Sequence, residues 1–304
     1  MTVYPLALHI GWLEVTGYGL MLFVGFYLAG WAMTQELRRR GLDEEYAANI
    51  VIAAVIGGLL GAKLWYVALT GDLDALLRRG GFVWYGGFIG GSLAVMFNSW
   101  RQRVPIAFTA DLVAPVLALG YGVGRVGCFL VGDDYGVPTT VPWGVKFPQG
   151  LPATTVGNLM QLHVKFPPGT DPNQLVAVHP TEVYETALML LVFWWLWRHR
   201  DHRHATGWLF ACYLMFAGAE RFLIEVFRAK DDRLLGDFTL AQATSVGLVL
   251  VGLYLMRRLW TGEAVAAPGL RPRDTTGRSG AGDHPPVAGP DQNRANERGQ
   301  GQQH

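Results

Sequence analysis

Three arginine residues stand inside or beside long apolar segments, where a charged side chain is least expected. Arg125 lies in a glycine-rich run, 120–128, and Arg221 and Arg228 lie in a second run, 220–228. Charges inside a membrane are costly, so such residues are candidates for function. A guanidinium binds phosphate through two parallel hydrogen bonds, and glycine permits close approach of a ligand. The sequence predicts a phosphate site built from these arginines, and buried structural ion pairs are the alternative.

Acidic and polar residues accompany the arginines. Glu225 follows Arg221 by four residues, which puts both on one helix face, where they can pair. The run 179–185 opens an apolar segment, with Thr181 as the predicted N-cap and Glu185 just inside the helix. Capping does not explain the other polar groups of that run. His179, Glu182, Asp133 and Asp134 offer metal ligands, but no second histidine lies at ligand spacing, so no metal and no cofactor is expected.

The composition indicates the kind of element that positions these residues. Of 304 residues, 51% are hydrophobic and 16% are charged, and the mean hydropathy is +0.22, whereas soluble domains carry about 25% charged residues. This excludes a fibrous or disordered protein for most of the length. The net charge of +1 offers no general attraction to nucleic acid. Two cysteines are too few for a disulfide framework or a cysteine zinc site.

Seven apolar segments are long enough, or nearly so, to span a membrane. The sequence predicts an all-α membrane protein in which seven transmembrane helices cover 15–33 and about 47–69, 82–98, 106–130, 181–197, 206–227 and 240–256. Lys63 and Asp111 fall inside two of them, where they either form a structural ion pair or reach an interface.

The predicted organisation is one membrane domain, 1–260, followed by a tail, 261–304. Arginine clusters at 38–40, 101–103, 198–203 and 257–258 fall on one side of seven spans, which predicts a cytoplasmic C-terminus and an N-terminus outside. The loop 131–178, between the fourth and fifth helices, is then an extracytoplasmic cap. The tail has almost no large apolar side chains, so it is predicted to be disordered and cytoplasmic.

The order and spacing of several motifs resemble the bacterial prolipoprotein diacylglyceryl transferase family over nearly the whole chain up to about residue 258. The matching runs include Tyr-Gly in the first span, Tyr-Gly-Gly-Phe-Ile-Gly, Gly-Arg-Val-Gly-Cys-Phe, Trp-Gly-Val-Lys-Phe-Pro and His-Pro-Thr. In this sequence they stand at 18–19, 85–90, 124–129, 143–148 and 179–181. Arg221-Phe222 with Glu225 and Arg228, and the late Gln242, match as well.

The resemblance implies transfer of a diacylglyceryl group from phosphatidylglycerol to the cysteine thiol of a prolipoprotein signal peptide, with release of glycerol phosphate. The implied partners are therefore phosphatidylglycerol, prolipoprotein signal peptides and membrane lipids, for a monomer in the bacterial inner membrane. Arg125 and Arg221 would clamp the phosphate and stabilise the departing charge. Glu225 would orient an arginine, and Arg228 would support it. The implied catalytic residues are Arg125, Arg221, Tyr85 and His179, and the implied substrate-binding residues are Tyr18, Lys63, Gly86, Gly87, Asp111, Gly124, Cys128, Gly136, Tyr184, Glu185, Glu225, Arg228 and Gln242.

This chain departs from the family pattern at several positions. Tyr85 replaces a histidine proposed as general base, and a phenol with a pKa near 10 is a poor base at neutral pH. His179 is the substitute candidate for proton transfer. Lys63 replaces a usual arginine, Val131 a frequent asparagine and Glu182 a common glutamine. These departures leave open a divergent paralogue with another lipid or acceptor, or a lipid-binding protein that has lost catalysis.

Two other classes of membrane protein fit less well. A transporter or channel predicts charges across the full membrane depth, whereas Arg125, Arg221, Arg228 and His179 fall near one end of their spans. A seven-helix photoreceptor needs a Schiff-base lysine in the last span, and 240–256 contains none.

Overall fold

The computed structural model describes residues 1–10, 13–76, 81–229, 233–235, 238–262 and 269–270. These residues form a mostly helical protein with two small antiparallel hairpins. The helices are α1 (Gly17–Arg39), α2 (Glu45–Thr70), α3 (Trp84–Arg101), α4 (Ile106–Val131), α5 (Val156–Gln161), α6 (Thr181–Arg198), α7 (Trp208–Glu225) and α8 (Leu240–Arg258); the strands are β1 (Ala7–Ile10), β2 (Leu13–Thr16), β3 (Arg233–Leu235) and β4 (Phe238–Thr239).

A long helix lies at each of the seven predicted apolar segments. Four of them, α1, α2, α4 and α8, are long and apolar enough to cross a membrane by length and hydropathy. Large apolar side chains such as Phe23, Leu69 and Trp100 are exposed, as expected for helices that face lipid. The prediction of an all-α membrane protein is confirmed. The predicted tail lies almost entirely outside the described residues.

Local sequence signals set several helix ends. The Thr16 hydroxyl accepts a hydrogen bond from the Gly19 amide at 3.2 Å and caps α1. At α8, Thr239 and Gln242 form a capping box, in which each side chain accepts from the other's backbone amide. Such boxes satisfy donors that the first turn leaves unpaired. Gly132, at a φ of +70°, ends α4, since a residue in this conformation readily terminates a helix.

Helices α2 and α3 pack along a seam of glycines. A Cβ at Gly61 would meet the carbonyl oxygen of Gly86 and would lie 2.8 Å from the Cα of Gly90. Both obstacles are backbone atoms, so the two helices approach more closely than larger residues allow. Gly86 therefore contributes to helix packing, whatever else it contacts.

We expect Gly61→Ala to lower the thermal unfolding midpoint, because the added methyl group forces α2 and α3 apart; overpacking of this kind costs about 1–3 kcal/mol. Gly58→Ala is the matched control on the same helix, because its Cβ would lie 3.6 Å from the Gly87 carbonyl, an ordinary contact. Melting of the two variants in detergent micelles checks this. Equal midpoints would contradict a tight seam.

The end of the bundle that carries the arginine clusters is held together by one carboxylate. Glu36, near the end of α1, contacts Arg39 at 2.8 Å, Arg40 at 2.6 Å and Arg200 at 2.9 Å. Arg200 belongs to the α6–α7 loop, and Arg39 also contacts Asp201 there at 2.5 Å. In the same loop Ala205 donates its backbone amide to Leu259, next to the end of α8. Three of the predicted arginine clusters therefore lie at one end.

Asp111, near the start of α4, also belongs to this end. Its carboxylate accepts from the backbone amides of Gly207 and Phe210 at 2.7 and 3.0 Å, and it lies 3.3 Å from His202. Asp111 therefore anchors the start of α7. The Lys63 ammonium lies 4.5 Å from the centre of the Phe82 ring.

The loop between α4 and α6 folds into an ordered cap around Phe147, Leu159 and Val178, which are fully buried. The Tyr135 hydroxyl donates to the carbonyl oxygen of Pro152 at 2.8 Å. Burial, with a smaller contribution from Glu182, raises the pKa of Tyr135 to about 12, so this phenol stays a hydrogen-bond donor at neutral pH. The aromatic residues of the loop therefore build a small core.

Candidate functional site

Three helix ends converge opposite the Glu36 cluster: the end of α4, the start of α6 and the end of α7. The cap joins them, because Gly136 donates its amide to His179 at 2.9 Å and Val137 donates to Phe227 at 2.8 Å. A Cβ at Gly136 would lie 2.9 Å from side-chain carbons of both His179 and Thr181. Only glycine fits at position 136, where the segment after α4 crosses the segment after α7.

Arg125 lies at the centre of this convergence and is 14% exposed. Its Nη1 donates to Asp134 Oδ2 at 2.8 Å, and its Nε lies 2.8 Å from Glu185 Oε2. Its Nη2 donates to the Tyr121 hydroxyl at 3.1 Å, which in turn donates to Glu185. The guanidinium therefore binds two carboxylates from different elements.

Asp134 bridges Arg125 to a second arginine. Its Oδ1 accepts from Arg228 Nη2 at 2.7 Å, while its Oδ2 accepts from Arg125. Arg228 is buried, with 4% of its side chain exposed, and Nη1 lies 3.7 Å from Glu185 Oε1. Within the described residues, Nε and Nη1 of Arg228 are buried and make no hydrogen bond. Arg228 thus keeps donors that an anionic group can use.

Arg221 completes the arrangement from α7. Its Nη1 lies 2.5 Å from Glu225 Oε2, so the predicted pair on one helix face is confirmed. Glu185, fully buried, interacts electrostatically with Arg125, Arg221 and Arg228. Glu185 therefore contacts two of the three predicted arginines, Arg125 and Arg228, while Arg221 pairs with Glu225.

Two further carboxyl groups of this region are buried with free oxygen atoms. Glu182 is fully buried, and within the described residues neither oxygen accepts a hydrogen bond from another residue. Glu220 is buried with one such oxygen. A buried polar group without a hydrogen bond costs about 1–3 kcal/mol, so Glu182, with neither oxygen paired, is the least satisfied carboxyl group of the cluster.

We expect Glu182→Gln not to lower the thermal unfolding midpoint, because an amide of the same shape replaces a carboxyl group that makes no hydrogen bond among the described residues, so no partner is lost. Glu185→Gln, three residues on and equally buried, should lower it because Glu185 is paired. Parallel melting curves in micelles test both. A lower midpoint for Glu182→Gln would show that the carboxylate has a stabilising partner.

His179 and Tyr184 lie in an aromatic group beside the arginines. His179 Nδ1 lies 3.2 Å from the Tyr184 hydroxyl, which accepts from Trp143 Nε1 at 2.7 Å. Both rings pack edge-on against Phe227, just after α7. His179 thus borders the cluster through Gly136 and Phe227, with its ring nitrogen turned toward a hydroxyl.

The predicted residues of α2 and α3 belong to a different part of the bundle. Tyr85 is 57% exposed at the start of α3 and contacts the Trp84 ring edge-on. Gly87 lies on the seam with α2, like Gly86. Lys63 lies near the end of α2, over Phe82. No contact joins these residues to Arg125 within the described part of the chain.

Other predicted residues lie along α1 and α4. Tyr18 packs on Gly127, and Gly124 would have open space around a Cβ among the described residues. Cys128 is buried, with Sγ 3.7 Å from Arg125 Nη1. Asp111 lies 14 residues before Arg125, about 21 Å along the helix, so it is not part of the cluster.

The ligand atoms of Cys128, Asp133 and Asp134 lie within 4.8 Å of one another. Arg125 already contacts Cys128 Sγ at 3.7 Å and Asp134 Oδ2 at 2.8 Å, so two of these three candidate ligands have a guanidinium as partner. Gln242 serves the capping box of α8.

Sequence reasoning missed two members of the cluster and one contact. Asp134 and Glu182 were considered only as metal ligands, a role that the sequence did not support, whereas Asp134 bridges two arginines and Glu182 is buried near them. Thr181 is not the N-cap of α6: Pro180 occupies that position, and the Thr181 hydroxyl donates to the Asp134 carbonyl at 2.9 Å. The side chain is used to hold the cap loop, so it is not available to the helix. The adjacent acidic pair 133–134 beside a glycine-rich arginine segment was the available signal.

A comparison of the chain with known proteins identifies its family. A sequence model of the prolipoprotein diacylglyceryl transferase family matches residues 5–258. The chain belongs to this family.

Several relatives that carry the name phosphatidylglycerol–prolipoprotein diacylglyceryl transferase align with most of this chain. A protein of Clostridium tetani is 29% identical over 260 residues, which are 83% of this chain and 96% of that protein. Proteins of Bordetella parapertussis and Geobacter sulfurreducens are 32% and 31% identical, over 83% and 82% of this chain and 94% and 92% of theirs. The match includes all three helix ends that carry the arginine cluster.

Proposed function

We propose that this protein transfers the diacylglyceryl group of phosphatidylglycerol to the cysteine thiol of prolipoproteins, releasing glycerol phosphate and forming a thioether. The observation that carries the proposal is the position of Arg228. It is buried, shares Asp134 with Arg125 at the meeting of three helix ends, and has two nitrogens that make no hydrogen bond among the described residues. A phosphate group offers the acceptors that these nitrogens need.

The proposed chemistry requires that charge be stabilised on a leaving phosphate. Arg125, Arg221 and Arg228 supply three permanent positive charges around Glu185. Fixed cations in a site that excludes water stabilise a departing anion without reorganisation. The attacking thiol belongs to the substrate, so neither Cys128 nor Cys212 is required as a nucleophile, in keeping with the burial of both.

The substrate thiol, with a free pKa near 8.5, must also lose its proton. We propose His179 as the acceptor, because it borders the arginines through Gly136 and its Nδ1 already engages the Tyr184 hydroxyl. The exposure of Tyr85 on α3 supports a role in lipid contact instead. Substrate contact by the remaining predicted residues, from Tyr18 to Gln242, is part of the same proposal.

The test supplies the purified protein in micelles with phosphatidylglycerol and a signal peptide that contains the acceptor cysteine. We expect the peptide mass to rise by one diacylglyceryl group, and the same peptide with serine for cysteine should not change. A protein that binds both substrates without any mass shift would favour a non-catalytic lipid-binding protein. Transfer from another lipid only would favour the divergent paralogue.

We also propose that all seven long helices span the bacterial inner membrane, with 1–260 as a monomeric membrane domain. The gathering of arginine clusters at the Glu36 end supports a cytoplasmic position for that end. The loop 131–178 then caps the outer surface, and the tail 261–304 is cytoplasmic.

Single cysteines introduced at Lys165 and at Arg257 in a Cys128→Ser, Cys212→Ser background test this orientation. Only the first should react with an impermeant thiol reagent added to intact cells; labelling at Arg257 would reverse the orientation.

A further inference from the structure

Asp134 holds the two guanidiniums that are most suitable for a phosphate. Its two oxygens accept from Arg125 Nη1 at 2.8 Å and from Arg228 Nη2 at 2.7 Å. A carboxylate that joins two arginines in this way places two oxygens where two phosphate oxygens would bind. The geometry is therefore that of an anion site filled by a side chain of the protein itself.

The exposed fractions of the three side chains indicate which of them a ligand reaches first. The Asp134 side chain is 26% exposed, whereas Arg125 is 14% and Arg228 is 4% exposed. The carboxylate thus lies on the accessible side of both guanidiniums. Arg228 also keeps Nε and Nη1 buried without a hydrogen bond among the described residues, so an incoming anion gains donors that Asp134 does not use.

The backbone of Asp134 keeps its carboxylate in this place. Gly132 ends α4, Asp134 has a φ of +40°, and the Thr181 hydroxyl holds its carbonyl at 2.9 Å. The side chain can turn away from the arginines by rotation about its own bonds while the loop stays fixed. Displacement of the carboxylate therefore does not require unfolding of the cap.

We infer that Asp134 is a resident competitor for the phosphate group of the lipid donor: its carboxylate and that phosphate alternate on Arg125 and Arg228. This rests on the proposed transfer reaction. Competition limits the affinity for phosphate, so the carboxylate speeds release of glycerol phosphate, which would otherwise stay bound to the arginines. Asp134 thus sets the affinity of the site for phosphate and takes no part in the bond-breaking step.

The test measures binding without an acceptor peptide, so it is separate from the test of transfer. Wild type, Asp134→Asn and Asp133→Asn are purified in neutral detergent, and dissociation constants for glycerol phosphate and for phosphatidylglycerol are measured at one ionic strength. We expect Asp134→Asn to bind both at least tenfold more tightly, the range set by a lost charge-assisted competitor. Asp133→Asn removes the same formal charge one residue away and should change either constant less than threefold.

Asparagine tolerates a positive φ, so this variant should keep the loop conformation. Asp134→Gly, which also suits a positive φ, is the second variant, and it should tighten binding equally. If both variants bound glycerol phosphate and phosphatidylglycerol no more tightly than wild type, with unchanged unfolding midpoints, the inference would be overturned. Asp134 would then have a structural role only. Tighter binding of glycerol phosphate alone would overturn it for the lipid. A wild type that binds phosphatidylglycerol but transfers nothing would refute the proposed reaction and leave the competition measurable.

Discussion

Arg125→Ala is expected to lower the rate of diacylglyceryl transfer by about a hundredfold to a thousandfold. Removal of one preorganised charge donor from a site that stabilises a developing anion has effects of this size. The loss should appear in the rate at saturating phosphatidylglycerol as well as in its apparent affinity. Arg125→Lys should recover little, because an ammonium cannot contact Asp134, Glu185 and Tyr121 together. The measurement is the initial rate of the peptide mass shift.

Two comparison variants make the Arg125 result specific. Arg258→Ala removes an exposed arginine at the opposite end and should leave the rate within twofold. Tyr85→Phe should also have a small effect, because Tyr85 does not contact the cluster, whereas Arg221→Ala should be as damaging as Arg125→Ala. A fully active, folded Arg125→Ala protein would remove the phosphate-clamp proposal.

Glu185→Ala is expected to be strongly destabilising. It removes the buried carboxylate that contacts Arg125 and Arg228, and breaking a buried ion pair by removal of one partner costs about 3–5 kcal/mol. We expect a large fall in the unfolding midpoint together with loss of transfer. Thermal melting in micelles and the initial transfer rate are the two measurements.

Glu182→Gln is the matched control for Glu185, because it alters a carboxyl of equal burial one turn away. It should keep most of the transfer activity and should not lower the midpoint. If Glu185→Ala melted like the wild type, the arginines would have other counterions, and the arrangement around Glu185 would not be what holds the three helix ends together.

The helices could be predicted from the sequence because long apolar runs indicate them directly. Each of the seven predicted segments contains a long helix, and the boundaries shift by a few residues where a cap such as Thr16 or Gly132 decides the end. The pair of Arg221 and Glu225 followed from helical spacing, and the choice of Arg125 followed from its position in a glycine-rich apolar segment. These are local properties, which a single sequence carries well.

The membership of Asp134, and the way in which Arg228 reaches the site, could not be predicted with the same reasoning. Helix α7 ends at Glu225, and Arg228 reaches the site through the backbone contact of Gly136 with Phe227. Asp134 reaches it because Gly132 turns the chain and Thr181 holds it. Both positions depend on contacts between segments far apart in sequence, and no local pattern encodes them.

Glu36 contacts three arginines and Glu185 contacts two, and the two groups should respond differently to ionic strength. The arginines on Glu36 are 22–39% exposed, so mobile ions can screen those pairs, whereas Arg125 and Arg228 on Glu185 are largely shielded. At 1 M salt the screening length is about 3 Å. Concentrated salt should therefore loosen the α6–α7 loop end, detectable as faster proteolysis there, while the opposite end stays closed. Ion pairs between glutamate and arginine thus stabilise both ends of the protein, but only those at the Glu36 end should weaken as the salt concentration rises.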